Sequence, residues 1–222
     1  MPTYTALTWD AAGTRWYEAG TKNGVLYPMN SDGTYAQGVA WNGLTAVTES
    51  PEGGEPTDLW ADDMKYGTLR STETFKFTIE AYTYPDEFME CDGTKPATGA
   101  TGVYLGQQTR KGFGFCYRSY LGNDTGASAD AYKLHIIYGC TASPSEKSYA
   151  TINDSPDAIT FSWECDSNPV AVTGYKPVSE IVIDSRRADA TKLGNLLKKL
   201  YGDGTTQNPS LPDPATIISD LT

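Results

Sequence analysis

The chain has 222 residues, with 28 acidic and 17 basic side chains and a formal net charge of −11 at pH 7. This length suits one domain with a sizeable core, and the acidic excess argues against recognition of nucleic-acid phosphates, which needs a basic patch. A composition of 39% apolar and 20% charged residues excludes a disordered or coiled-coil chain. No run of about 18 apolar residues occurs, so the sequence predicts no transmembrane helix. The first four residues lack the charged and apolar regions of a secretory signal, so none is predicted.

Strand signals dominate from the amino terminus to about residue 185. In the clearest segment, apolar and polar residues alternate, which is the pattern of a half-buried strand. The 22 glycines and 13 prolines favour turns between short strands. The chain is therefore predicted to be mainly β. The predicted strands cover Tyr4–Trp9, Gly24–Met29, Tyr35–Trp41, Thr45–Glu49, Met64–Arg70, Phe75–Tyr82, Phe113–Tyr117, Tyr132–Cys140, Ile159–Cys165 and Ile181–Ile183.

One long helix is predicted over about residues 189–201, where leucines recur at i, i+3, i+4 and i+7. Asp189 is the expected N-cap, and Gly202 can end the helix. The leucine stripe favours a helix that covers the sheet over one that binds a partner. A shorter helix is plausible over Pro85–Glu90. Residues 1–202 are predicted to form one domain and residues 203–222 a flexible C-terminal tail, anchored by Ile217-Ile218.

The sulfur and imidazole side chains predict neither a metal site nor a catalytic one. None of the cysteines, Cys91, Cys116, Cys140 and Cys165, forms a Cys-x-x-Cys pair, and the favoured interpretation is buried reduced thiols, with a disulfide left open. The only histidine is His135, which alternation places with Lys133 on the strand face opposite the apolar residues. There is no metal-ligand spacing and no nucleophile-elbow sequence. We therefore expect no cofactor, no metal and no catalytic residue.

Acidic residues are frequent enough that a glycosidase pair must be considered. The candidates Asp86, Glu87, Glu90 and Asp92 fall in a predicted surface turn. Catalysis would need two carboxyls held across a cleft and one raised pKa, and the sequence signals neither. The interpretation is a solvated acidic loop. Phosphate-binding glycine loops are also missing, so the chain is predicted not to be an enzyme.

The most informative acidic segment runs from Glu49 to Asp63 and contains no base. Its prolines and glycines exclude regular structure from its first half. It is a solvated loop, a projecting arm or an acidic lining. In the second case Trp60 would anchor the arm on a neighbouring subunit, because an exposed tryptophan is costly until a partner covers it. The candidate arm residues are Glu49, Glu52, Glu55, Asp58, Trp60, Asp62 and Asp63.

Four long stretches carry a resemblance to a known family. They are WNGLTAVTESPEGGEPTDLWADDMKY (Trp41–Tyr66), FTIEAYTYPDEFMECDG (Phe77–Gly93), GQQTRKGFGFCYR (Gly106–Arg118) and SPSEKSYATINDSPDAITFSWE (Ser143–Glu164). In these stretches the chain resembles the major tail tube proteins of long-tailed, siphovirus-type phages of Gram-positive bacteria. The likeness spans most of residues 25–185 and is weakest over the C-terminal helix and tail.

The resemblance implies a β-sandwich or barrel core of the phage tail tube type, with one flanking helix. Copies of such a protein would form stacked hexameric rings, the tail tube, and an extended loop would reach the adjacent ring. The acidic segment is the candidate for that loop. Implied partners are the tape measure, tail terminator and distal tail proteins. Double-stranded DNA would pass without tight binding. The resemblance further implies assembly in the host cytoplasm, a place in the virion, no membrane insertion and no catalytic residues.

Two alternatives stay open at this stage. A carbohydrate-binding β-sandwich module is suggested by the 12% aromatic content, although alternating inward positions account for many of those rings. Another tail ring protein, such as a tail terminator or a connector, would form single rings and need not polymerise.

Overall fold

The computed structural model describes residues 5–126, 131–152 and 158–222. The chain is mainly β, as predicted. The strands are β1 (Trp16–Pro28), β2 (Val39–Trp41), β3 (Leu44–Glu49), β4 (Pro56–Ala61), β5 (Met64–Arg70), β6 (Phe75–Ala81), β7 (Lys95–Pro96), β8 (Tyr104–Leu105), β9 (Phe113–Asn123), β10 (Tyr132–Ala142), β11 (Phe161–Ser167) and β12 (Glu180–Asp184). The helices are α1 (Phe88–Cys91), α2 (Ala190–Tyr201) and α3 (Pro214–Leu221).

Eight strands form one antiparallel sheet in the order β2-β1-β9-β10-β11-β6-β3, with β12 also paired to β10. The pairs β4–β5 and β7–β8 stand outside it as two-stranded ribbons. Strand β3, at one end of the sheet, lies against β1 near the other end. The sheet therefore curls over its own interior.

On one of its edges, strand β10 pairs with two different strands along its length. The first half of β10 pairs with β12, through Lys133–Ile137, and its last residues, Cys140–Ala142, pair with β11. Between the two lies a register shift and Gly139, whose φ is 59°. A Cβ at this position would lie 2.3 Å from the Asn168 carbonyl oxygen, so only glycine allows both the positive φ and the close approach.

Alternation along β1, β9 and β10 separates two apolar clusters. The inner cluster fills the curl of the sheet and contains closely packed aromatic rings, among them Trp41, Phe88, Phe115 and Trp163. The helix-side cluster joins the opposite face of these strands to the two longer helices through Leu134, Ile136, Leu196, Leu200 and Ile217. The four cysteines are free and buried, as predicted.

The predicted long helix is confirmed. The Asp189 carboxylate accepts hydrogen bonds from the Thr191 and Lys192 amides, both at 2.9 Å, and Gly202 follows the last turn. Leu193, Leu196 and Leu200 are buried against the sheet, which agrees with a helix that covers the sheet. The predicted short helix begins later than expected, at Phe88.

The prediction of a flexible tail over residues 203–222 does not match the structure. Asp213 caps α3 by accepting from the Thr216 amide at 2.8 Å, and Ile217 is buried in the helix-side cluster. Lys199 of α2 pairs with Asp220 at 2.6 Å. The segment packs because its few apolar residues meet the surface that α2 leaves open.

Most of the predicted strands are present, but several begin or end at residues other than those predicted. Strand β5 has its predicted bounds, whereas β1 and β9 extend well beyond theirs and β11 lies two residues later. Residues 5–9 form no strand, and Tyr4 lies outside the described residues. No helix among the described residues is long and apolar enough to cross a membrane.

Candidate functional site

The longer of the two exposed ribbons is the hairpin of β4 and β5, here called the hairpin arm (residues 56–70). Every residue of β4 is exposed, and so is all of β5 except Gly67. Asp62 and Asp63 form its two-residue turn, with φ values of 49° and 59°. A two-residue turn with both φ positive has the twist of paired strands, and aspartate tolerates this conformation better than most residues. The arm therefore stands away from the main sheet on both faces.

A short stem (residues 50–55) joins β3 to the hairpin arm. The Ser50 amide donates to the Lys76 carbonyl of β6, and Glu52 pairs with Thr74, just before β6. Gly53 then has a φ of 92°, and a Cβ there would lie 2.6 Å from the Thr72 carbonyl oxygen. The absence of regular structure predicted for the first half of the acidic segment holds at residues 53–55, because this turn redirects the chain away from the sheet.

Large apolar side chains are concentrated on the hairpin arm without being buried by it. Trp60 is 69% exposed and Tyr66 is 80% exposed. Leu59, Met64 and Leu69 are also exposed. A two-stranded ribbon has no interior in which to bury such side chains, so this surface indicates contact with another molecule.

The structure separates the candidate arm residues into two groups. Asp58, Trp60, Asp62 and Asp63 lie on the hairpin arm, and Glu52 and Glu55 lie on its stem. Lys65 pairs with Asp58 at 2.7 Å, and Lys76 pairs with Glu52 at 2.7 Å, so two of the acids are internally neutralised. Glu49 does not belong to the arm. It is the last residue of β3, and it turns inward.

Glu49 meets His135, the only histidine of the sequence, beside Tyr117 of the inner cluster. His135 is buried, and its Nδ1 lies 2.8 Å from Glu180 Oε1 and 3.3 Å from Glu49 Oε1. The ring of Tyr117 stacks on the imidazole with 4.6 Å between centroids, and its hydroxyl donates to Glu49. We call Glu49, His135 and Glu180 the histidine triad.

Strand register brings the histidine triad together. His135 of β10 lies opposite Tyr117 of β9, and Glu180 lies opposite Ile137, two residues along the same face. Glu49 comes from the other half of the curled sheet. The second ring nitrogen of His135, Nε2, lies 3.1 Å from the Ser119 hydroxyl. All the polar atoms of the ring therefore have partners.

A further acid continues this network. The Ser119 hydroxyl donates to Glu18 of β1, and the Lys133 ammonium pairs with the same carboxylate at 2.5 Å. Glu18 Oε1 lies 3.7 Å from His135 Nε2. Five charged side chains, three of them acidic, thus meet where the sequence predicted a lone histidine.

Burial and the hydrogen bonds within the triad shift the pKa values of its members. Burial alone would lower the pKa of His135, but the Glu180 and Glu49 carboxylates outweigh it and raise the pKa to about 9. The hydrogen bond from His135 lowers the pKa of Glu49 to about 2, against the opposing effect of burial. Burial raises the pKa of Glu180. The two carboxylates share one cation and therefore hold their charge unequally.

The acidic loop considered for glycoside hydrolysis is not fully solvated, which corrects that prediction. The Asp92 side chain is only 7% exposed. It pairs with Arg110 at 3.3 Å, and Lys147 contacts its other oxygen. Two cations therefore neutralise this carboxylate.

Sequence reasoning missed the histidine triad, because its members lie 45 or more positions apart and only the fold unites them. The one signal of this site in the sequence is His135 itself, a single histidine in a strand whose alternate residues are apolar. No protein-family model matches the chain, and no curated protein matches it. The tail tube resemblance therefore rests on the four sequence stretches given above.

Proposed function

We propose that the protein is a structural, self-assembling subunit of a phage tail tube. In this proposal copies form stacked hexameric rings, and the tube passes double-stranded DNA without binding it tightly. The observation that carries the proposal is the hairpin arm, which exposes a tryptophan and other large apolar side chains on a ribbon with no core of its own. A second copy of the chain is the partner that covers it.

The sheet supports the same proposal. Strands β2 and β3 end the main sheet, and among the described residues each has one neighbour in that sheet. Unpaired strand edges promote association between chains unless they are protected. Pairing of such edges between neighbouring subunits would extend the sheet around a ring. The net charge of −11 keeps the subunits soluble before they assemble.

Removal of the hairpin arm tests the proposal directly. Replacing residues 56–70 by Asn-Gly keeps the stem, because Pro56 and Arg70 are directly paired and a two-residue turn can join their neighbours. We expect a folded protein that keeps a cooperative thermal unfolding transition and no longer forms tubes in negative-stain micrographs of concentrated samples. Native protein should form rings or tubes under the same conditions.

A point variant separates the arm from general surface effects. Trp60→Ser removes the largest exposed side chain of the arm, and we expect the protein concentration needed for assembly to rise about tenfold or more. Tyr175 is 68% exposed and lies outside the arm, so Tyr175→Ser is the control and should assemble like native protein. Native protein that stays monomeric at every concentration would contradict the function. Normal tubes from the arm deletion would contradict only the role of the arm.

A further inference from the structure

The histidine triad has the donors, the spacing and the charge of a cation site. We propose that Glu49, His135 and Glu180 bind a divalent transition-metal ion of the Zn²⁺ class, through one carboxylate oxygen from each glutamate and Nδ1 of the imidazole. The proposal rests on the geometry of this cluster and does not require that the chain form tubes.

The distances fit a four-coordinate metal. The three donor atoms lie within 4.8 Å of one another. Zinc binds imidazole nitrogen and carboxylate oxygen at about 2.0–2.2 Å, which places tetrahedral neighbours about 3.3–3.6 Å apart. Nδ1 of His135 and Oε1 of Glu49 are 3.3 Å apart. The Glu180 oxygen, at 2.8 Å from Nδ1, needs to withdraw by about half an ångström, since the metal replaces the proton between them.

The charge of the cluster favours a dication over a proton. Glu18 and Lys133 neutralise each other, so two carboxylates around a protonated imidazole leave one negative charge uncompensated in a half-buried site. Two carboxylates, a neutral imidazole and Zn²⁺ together are neutral. Burying unpaired charge is costly, so the metal satisfies the site more completely than the proton does.

The groups around the triad already orient it as metal ligands are oriented. A ligating histidine usually has its other ring nitrogen fixed by a hydrogen bond, and Nε2 of His135 meets Ser119, which is itself bound to Glu18. Tyr117 holds Glu49 by its hydroxyl and the imidazole by its ring. The side chains of Glu49 and Glu180 are 29% and 16% exposed, so an ion can enter from solvent and a water can complete the coordination.

A bound metal would have a defined structural effect. Glu49 is the last residue before the stem of the hairpin arm, whereas His135 and Glu180 belong to β10 and β12. The ion would therefore join the two halves of the curled sheet at the point where the arm begins.

The test is a titration of the full-length, EDTA-treated protein with ZnCl₂. His135 is the only histidine, so its imidazole nitrogen resonances report the site without ambiguity. We expect one equivalent of Zn²⁺ to bind by calorimetry, to shift the Nδ1 resonance and to raise the melting temperature. MgCl₂ should do none of this, because Mg²⁺ prefers six oxygen ligands.

Variants identify the ligands. Glu180→Gln and Glu49→Gln keep the size of the side chain, and each should weaken Zn²⁺ binding about tenfold or more. Glu73 is exposed and outside the cluster, so Glu73→Gln is the matched control and should bind as native protein does. An unmoved imidazole resonance at millimolar ZnCl₂ would overturn the proposal, as would unchanged affinity in both glutamine variants. The resonance test uses native protein and decides the question even if a variant does not fold.

Discussion

Asp184 lies at the end of β12, and the folded chain stabilises the ionised form of its carboxyl more than water does. Its carboxylate accepts from the Arg186 guanidinium at 2.6 Å and 2.9 Å and from the Arg186 amide at 2.9 Å. The hydrogen bonds from Arg186 lower the pKa of Asp184 to about 2. Because the folded pKa is below the ordinary value, this contribution to stability is present above about pH 4 and is lost as the pH falls toward 2.

The variant Asp184→Asn removes the charge and keeps an acceptor for the amide. We expect it to lower the free energy of unfolding at pH 7 by about 0.5 kcal/mol, since solvent screens a pair at the surface. Urea denaturation at pH 7, 4 and 2.5 measures the difference from native protein, which should shrink at the lowest pH. A difference that grows as the pH falls would show that the charge does not stabilise the fold.

The two acidic clusters show which residue properties a sequence can reveal. The sequence predicts burial at alternate strand positions, and it predicts Asp189 as the N-cap of α2. The pairing of Asp92 with Arg110 and Lys147 was not, because those partners lie 18 and 55 positions away. His135 looked like a surface residue since its neighbour Lys133 is polar. Strand register brings Tyr117 and Glu180 to it, and the curl of the sheet brings Glu49.

Among the elements, α3 provides the sharpest test of the packed C-terminal segment. Ile217 is 1% exposed and its neighbour Ile218 is 40% exposed. Ile217→Ala should cost about 2–4 kcal/mol by opening a cavity in the helix-side cluster, and Ile218→Ala should cost about 0.5 kcal/mol or less. Chemical denaturation of the two variants and of native protein measures these changes in the free energy of unfolding. Equal and negligible effects would restore the prediction of a flexible tail.

Elements with strong periodicity were predictable and those with weak local signals were not. The leucine stripe identified α2, and alternation identified the strands that line the inner cluster. The segment that holds α3 is short and rich in proline, so its local pattern indicates a tail. Long-range contacts make it fold, since Ile217 is buried in the helix-side cluster and Tyr138 of β10 donates to the Pro212 carbonyl at 2.9 Å.

The hairpin arm was predicted in part. The acidic segment was expected as a loop, an arm or an acidic lining, and the turn residues Asp62 and Asp63 were within it. Strand β4 was not expected, because Pro51 and Pro56 argue against a strand and because exposed residues on both faces show no alternation between core and solvent. Its partner β5 was predicted with correct bounds.

At the scale of the whole assembly, the proposed function sets a size for the tube. If each of six subunits contributed four strands, the 24 strands of the inner barrel would span a circumference of about 150 Å. Allowing about 5 Å of side chain on each wall leaves a channel of about 38 Å. Duplex DNA is about 20 Å wide and would pass with a layer of water. Three strands per subunit would leave about 26 Å, which is tight for hydrated side chains and ions.

The charge of the molecule determines how such a channel would treat DNA. A basic lining would release the counterions of the phosphates and hold the duplex, whereas an acidic lining gives no such binding. With a net charge of −11 per chain, we predict a net acidic channel. Assembled tubes mixed with linear duplex should therefore retain no DNA in a pelleting assay, even at about 20 mM salt, where screening is weakest. Retention that falls steeply as salt increases would show a basic channel and would contradict this prediction, while leaving the tubes themselves as evidence for assembly.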